Sequence, residues 1–150
     1  MTPSLPEVGR RYFTVEEANA RLPLIRVIVT DIVNLAKDLR DRYEQFNNAP
    51  PPDVQDQTYD DVRAEAEAIL AADRDQLETY VEELQKLGAE LKDFFTGLID
   101  FPGWINAREV CLCWQLGEGN IEHWHEANAG FRGRQQITDE FRRMCQPPRE

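Results

Sequence analysis

Two histidines and two cysteines sit close together near the C-terminal end, in REVCLCWQLGEGNIEHWHE, residues 108–126. On an extended strand, side chains two apart point the same way, so His123 and His125 would share a face, as would Glu109, Cys111 and Cys113. If the two segments pair as a hairpin, Glu109 and Cys113 meet His123 and His125 on a common face, with Glu118 at the turn. Two imidazoles with one or two carboxylates would suit zinc or iron, and a water on such a metal is a hydrolytic nucleophile. A structural role for both histidines is the competing expectation.

Cys113 beside a histidine could act as a nucleophile, though a buried structural thiol is the better-supported reading. The gap between Cys111 and Cys113 is not that of zinc knuckles or thioredoxin-like motifs. The run GFRGR, Gly130–Arg134, could bind an anion through backbone amides and guanidinium groups, but no phosphate-loop helix follows it. Glu109 and Glu118 could form an acid and base pair only if the fold brings them together.

The elements that must position these residues follow from periodicity. Thr14 and Glu17 form a capping box with Phe13 ahead of it, so a helix starts here. Leu22, Ile25, Val29, Ile32, Ala36, Leu39, Tyr43 and Phe46 then advance by threes and fours along one helical stripe. Ile28, Val33 and Leu35 widen that stripe, so the helix needs more than one packing neighbour. Pro23 inside the pattern predicts a kink near residues 19–23. The expected helix spans 13–47, and the prolines of 48–58 form a linker. Leu70, Leu77, Leu84 and Leu91, seven apart, predict a second helix over 59–93 that folds back on the first as an antiparallel hairpin.

Beyond Phe95 the period changes to two. Gly97–Phe101 reads as a short strand, Pro102-Gly103 as a turn, Arg108–Leu116 as a second strand and Ile121–His125 as a third. Val110, Leu112 and Trp114 would face the helices. The expectation is one α+β domain over 1–150: a long helical hairpin, a three-stranded antiparallel meander and loop over 97–134, and a tail over 138–150 with a short helix starting at Thr138.

Charge bounds the partners. Of 17 basic and 28 acidic residues, residues 48–93 hold four basic and thirteen acidic, so the acidity belongs mainly to the second helix. A net charge of -11 opposes phosphate backbones and anionic membrane surfaces, so neither nucleic acid nor membrane is expected as a partner. No window reaches the roughly 18 apolar residues of a membrane span. Three cysteines do not make a disulfide framework, and reduced thiols in the cytoplasm are expected.

The blocks FTVEEANARLPLIR, GLIDFP, REVCLCWQLGE, IEHWHE and GFRGRQQI, in this order from Phe13 to Ile137, resemble the bacterial family called domain of unknown function 2203. That resemblance implies a soluble bacterial single-domain protein and no particular reaction. His123 and Cys111 depart from its pattern, which turns the expected ligand set to His125, Glu109 and Glu118. Two functions follow as expectations: a helical-hairpin scaffold that self-associates or binds a protein partner, or a divalent-metal protein or hydrolase using those three residues.

Overall fold

The computed structural model describes residues 5–48 and 57–149. Two long helices, α1 (Val15–Asn48) and α2 (Gln57–Lys86), are followed by strands β1 (Glu90–Asp93), β2 (Leu98–Ile105), β3 (Arg108–Gln115), β4 (His123–Glu126) and β5 (Gln135–Gln136). A short helix α3 (Asp139–Met144) closes the order. The strands form one antiparallel sheet in the order β1-β2-β3-β4-β5. The architecture is α+β, as expected. Most of the proline-rich linker, residues 49–56, lies outside the described residues.

The start of α1 is set by its capping box. Thr14 Oγ1 accepts from the Glu17 amide at 3.1 Å, and Glu17 Oε1 accepts from the Thr14 amide at 3.0 Å. Those bonds favour the ionised carboxylate, and the Thr14 amide is the main reason the Glu17 carboxyl lies below its ordinary value. Phe13 and Ala18, on either side of the box, are both buried in the core. The helix continues through Pro23, which is exposed.

The two helices run antiparallel. Arg63 stacks 4.4 Å from the Phe46 ring at one end, Arg42 pairs with Asp73 further along, and Gly88 lies against Phe13 at the other. Late residues of the first helix therefore meet early residues of the second. The broad stripe of α1 is satisfied within the chain. Ile25, Val29 and Ile32 are fully buried, while Ile28 and Val33 also join the cluster containing the sheet residues Ile99, Phe101, Leu112 and Trp114. At Gly97 a Cβ would meet Val29 and Val33 within 3.2 Å, so the β1–β2 turn presses directly on α1.

The second helix is shorter than its leucine spacing predicts. It ends at Lys86 because Gly88 takes a φ of +95°, with its amide bonded to Gln85 O and the Ala89 amide to Leu84 O, both at 3.0 Å. A Cβ on Gly88 would fall 2.2 Å from the Phe13 ring, so packing as well as backbone conformation demands glycine. Leu91 continues the seven-residue spacing by coincidence: it belongs to β1 and packs on the core.

The sheet has five strands where three were expected. β1 was concealed within the helical pattern, and β5 has only two residues. β2 runs through Pro102 and Gly103 instead of turning there. Pro102 is tolerated because the pairing of β2 with β1 extends no further than Asp100, opposite the first residue of β1, and the Pro102 carbonyl instead accepts from the Phe13 amide at 2.8 Å, on the side away from β3. The turn is formed by Asn106 and Ala107, both with positive φ, 51° and 60°. β4 begins at His123, two residues later than expected, because the Ile121 amide bonds instead to Asn19 Oδ1 at 2.7 Å. In the C-terminal tail Thr138 caps α3, its Oγ1 accepting from the Phe141 amide at 3.0 Å.

Candidate metal centre

The strand register builds the site. Asp100 is opposite Cys113 across β2 and β3, and Cys113 is opposite His123 across β3 and β4, with His125 two residues further along. Alternation sends Val110, Leu112 and Trp114 toward the helices and Cys111, Cys113 and the two histidines to the other face. On that face Asp100, Cys113 and His125 converge, each buried, with one potential ligand atom from each lying within 4.8 Å of the others.

His125 is held at both nitrogens. Its Nδ1 lies 2.8 Å from the carbonyl oxygen of Glu126, and its Nε2 lies 3.2 and 3.1 Å from the two Asp100 oxygens. A carbonyl can only accept, so Nδ1 carries a proton and donates. The second nitrogen then faces a carboxylate from which it is separated by hydrogen-bonding distance. A neutral imidazole of that tautomer would set a lone pair against an ionised carboxylate, so the contact needs either one further proton, carried by Nε2 or by the carboxyl group, or a metal ion between them. The Glu126 carbonyl is itself held in place, because the Glu126 carboxylate receives both arms of Arg108 at 2.8 and 2.6 Å.

The same bonds bear on thiol chemistry. With both imidazole nitrogens engaged, His125 has none left to serve Cys113 as a base. Burial foremost, then the negative charge of Asp100, pushes the Cys113 thiol up to about 12, and the same two causes push Cys111 to about 12. Neither is a free thiolate at neutral pH. A cation bound beside Cys113 would reverse this by favouring the thiolate.

Of the residues expected to bind metal, the structure places His125 at the centre and the two glutamates elsewhere. Glu109 points to the N-terminal arm, where its Oε1 lies 2.7 Å from Arg10 Nε. Glu118 receives Arg134 at 2.7 Å and the Gln115 amide at 2.7 Å, which together hold its carboxyl below the ordinary value against the opposing effect of burial. His123 Nδ1 is 3.7 Å from Glu118, outside hydrogen-bond range. Arg134 of the GFRGR run is therefore occupied by an ion pair, and it also lies 3.5 Å from the Cys113 carbonyl and 4.8 Å from the centre of the Phe131 ring.

Asp100 is not among the ligands expected from the sequence. Its signal is an aspartate inside an apolar run, Leu98-Ile99-Asp100-Phe101, which on a buried strand implies a carboxylate with a partner. Ending that strand at Phe101 hid its pairing with Cys113.

The fold and this cluster define a class: an antiparallel helical pair packed on one face of a five-stranded antiparallel sheet, with a buried Asp, Cys and His set on the other face. Residues 11–137 match the family described as Uncharacterized conserved protein (DUF2203), and the chain belongs to that family. No curated protein and no solved structure matches the chain.

Proposed function

We propose that this protein binds one divalent metal ion of the zinc class through Asp100, Cys113 and His125. The observation that carries the reading is the buried contact of His125 Nε2 with both Asp100 oxygens while Nδ1 donates to Glu126. A metal ion satisfies that arrangement, and the Nδ1 bond is the kind of outer contact that orients a histidine ligand. Carboxylate, thiolate and imidazole together suit zinc, with iron the alternative. Three protein ligands leave a fourth position for a water or a substrate oxygen, so the bound ion would supply Lewis-acid or hydrolytic chemistry.

Elemental analysis of the untagged protein tests this. The expected result is about one zinc or iron per chain, lost in Asp100→Asn and in Cys113→Ser, with a lower melting temperature after chelation. Substoichiometric metal, together with a melting temperature unmoved by added zinc, iron or manganese, would overturn it.

A second reading, self-association of the hairpin, is favoured by Leu24, Val27, Val62 and Ile69, which are between 51% and 60% exposed on α1 and α2. Light scattering decides it: a strict monomer at high micromolar concentration removes it. Among the described residues no helix is long and apolar enough to cross a membrane. We place the protein in the cytoplasm, because its three cysteines are free thiols.

A further inference from the structure

In a chain with 17 basic and 28 acidic residues, one cavity reverses the balance. It holds about 570 Å³ and opens between the N-terminal arm, the last turn of α2 and β1. Arg10, Arg11, Arg21, Lys86 and Lys92 line it, and Glu90 is the one acidic residue among its walls. Four separate elements, the arm, α1, α2 and β1, contribute these cations.

Several of the cationic groups are fixed in advance. Arg10 is held by Glu90 at 3.1 Å and Glu109 at 2.7 Å, and Arg11 by Glu17 at 3.0 Å. The guanidinium carbons of Arg11 and Arg21 also lie 4.8 and 4.9 Å from the centre of the Phe13 ring. Arg21 and Lys86 have no carboxylate in ion-pair range among the described residues, although the surface carries an excess of acid. Arg10, Arg11 and Lys92 are neutralised by their carboxylate partners, so the unpaired guanidinium and ammonium of Arg21 and Lys86 leave the cavity a local excess of positive charge that attracts an anion. The fixed positions reduce the ordering cost of binding it. Phe13, Val81 and Leu91 also line the cavity, so an organic group as well as a charged head can be accommodated.

We propose that this cavity binds a small phosphate-bearing molecule, a phosphomonoester with an apolar or aromatic group. Guanidinium forks match phosphate oxygens two at a time, and Lys86 adds a point charge. The site is separate in its residues from the Asp100, Cys113 and His125 cluster and stands without it.

Titration calorimetry with phenyl phosphate tests the assignment, with sodium chloride at equal ionic strength as the background and phthalate as a dicarboxylate of similar shape. Phenyl phosphate is expected to bind, and the double variant Arg21→Gln/Lys86→Gln to raise its Kd at least tenfold. Lys37→Gln, a charge change away from the cavity, should stay within twofold of the unmodified protein. Should the double variant fail to fold, Lys86→Gln alone, exposed at a helix end, is expected to raise the Kd about threefold. Heat no greater than that of sodium chloride would overturn the site, as would unaltered binding in the lysine variant. Phthalate binding as tightly as phenyl phosphate would overturn the assignment to phosphate.

Discussion

The two faces of the sheet are built from alternate residues of the same strands, yet they are held by different physics. On the helix side Ile99, Phe101, Val110, Leu112 and Trp114 are fully buried among aliphatic side chains of α1. On the other side Asp100, Cys113 and His125 are nearly as well buried but polar, and each depends on a partner. The apolar face gains from area removed from water and tolerates approximate shape. The polar face gains only if every donor and acceptor is matched, so it specifies a geometry and a charge. One face makes the fold stable, and the other fixes the geometry of three buried polar side chains.

The largest break in this contrast is expected from Trp114→Ala. The side chain is fully buried, and its indole N–H donates to the Gly119 carbonyl at 2.9 Å. Loss of about 3–5 kcal/mol in urea unfolding is expected. A cost below about 1 kcal/mol would show that the helix-covered face is not the main source of stability.

A somewhat smaller effect is expected on the polar face in chelator-treated protein, where it can be apportioned. Asp100→Leu and His125→Leu should each cost about 3 kcal/mol, since each leaves the other group buried without its partner. The double variant should cost clearly less than the sum of the two, because two apolar side chains need no partner. Simple additivity of the three unfolding energies would mean that the 3.1 Å contact carries no coupling.

The smallest effect concerns pH and belongs to the helix side. The Glu17 carboxyl is lowered in the folded chain, chiefly by the Thr14 amide, so folding favours its ionised form. Its contribution is therefore full above the unfolded value near pH 4.3 and is lost as pH falls through the lower folded value. Because the side chain is 39% exposed, Glu17→Gln should cost only roughly 0.3 kcal/mol at neutral pH, the low end for a charge at a helix N-terminus. That difference should shrink progressively in thermal melts as the pH is lowered below the unfolded value. A difference that persisted unchanged in acid would assign the effect to packing of the glutamine and remove the carboxylate from the account.

Legibility in the sequence followed the range of the interactions. Thr14 and Glu17 lie within one turn of each other, and the structure makes both bonds that their spacing predicts. The alternation of β3 was readable because it spans eight residues with one clear apolar face. β1 was not, because four residues carry too little periodicity to oppose a leucine repeat, and the decisive event is the close approach of Phe13 to Gly88 from 75 positions away. The turn at Asn106 and Ala107 was hidden for a related reason: an alanine at positive φ has no local preference for it, and the paired strands on either side impose it.

By itself the sequence determined an α+β chain with two long helices, an antiparallel sheet region after residue 95, the inward face of β3, and His125 as a residue to consider. Those are properties of nearest neighbours and short periods, which local sterics and amphipathicity impose on any chain with this pattern. Only the tertiary structure decided that His125 meets Asp100 and Cys113, while Glu109 turns to Arg10 and Glu118 to Arg134. A carboxylate is directed by whichever cation the fold brings nearest, and the register of three strands, which fixes those distances, is set by contacts far apart in the chain.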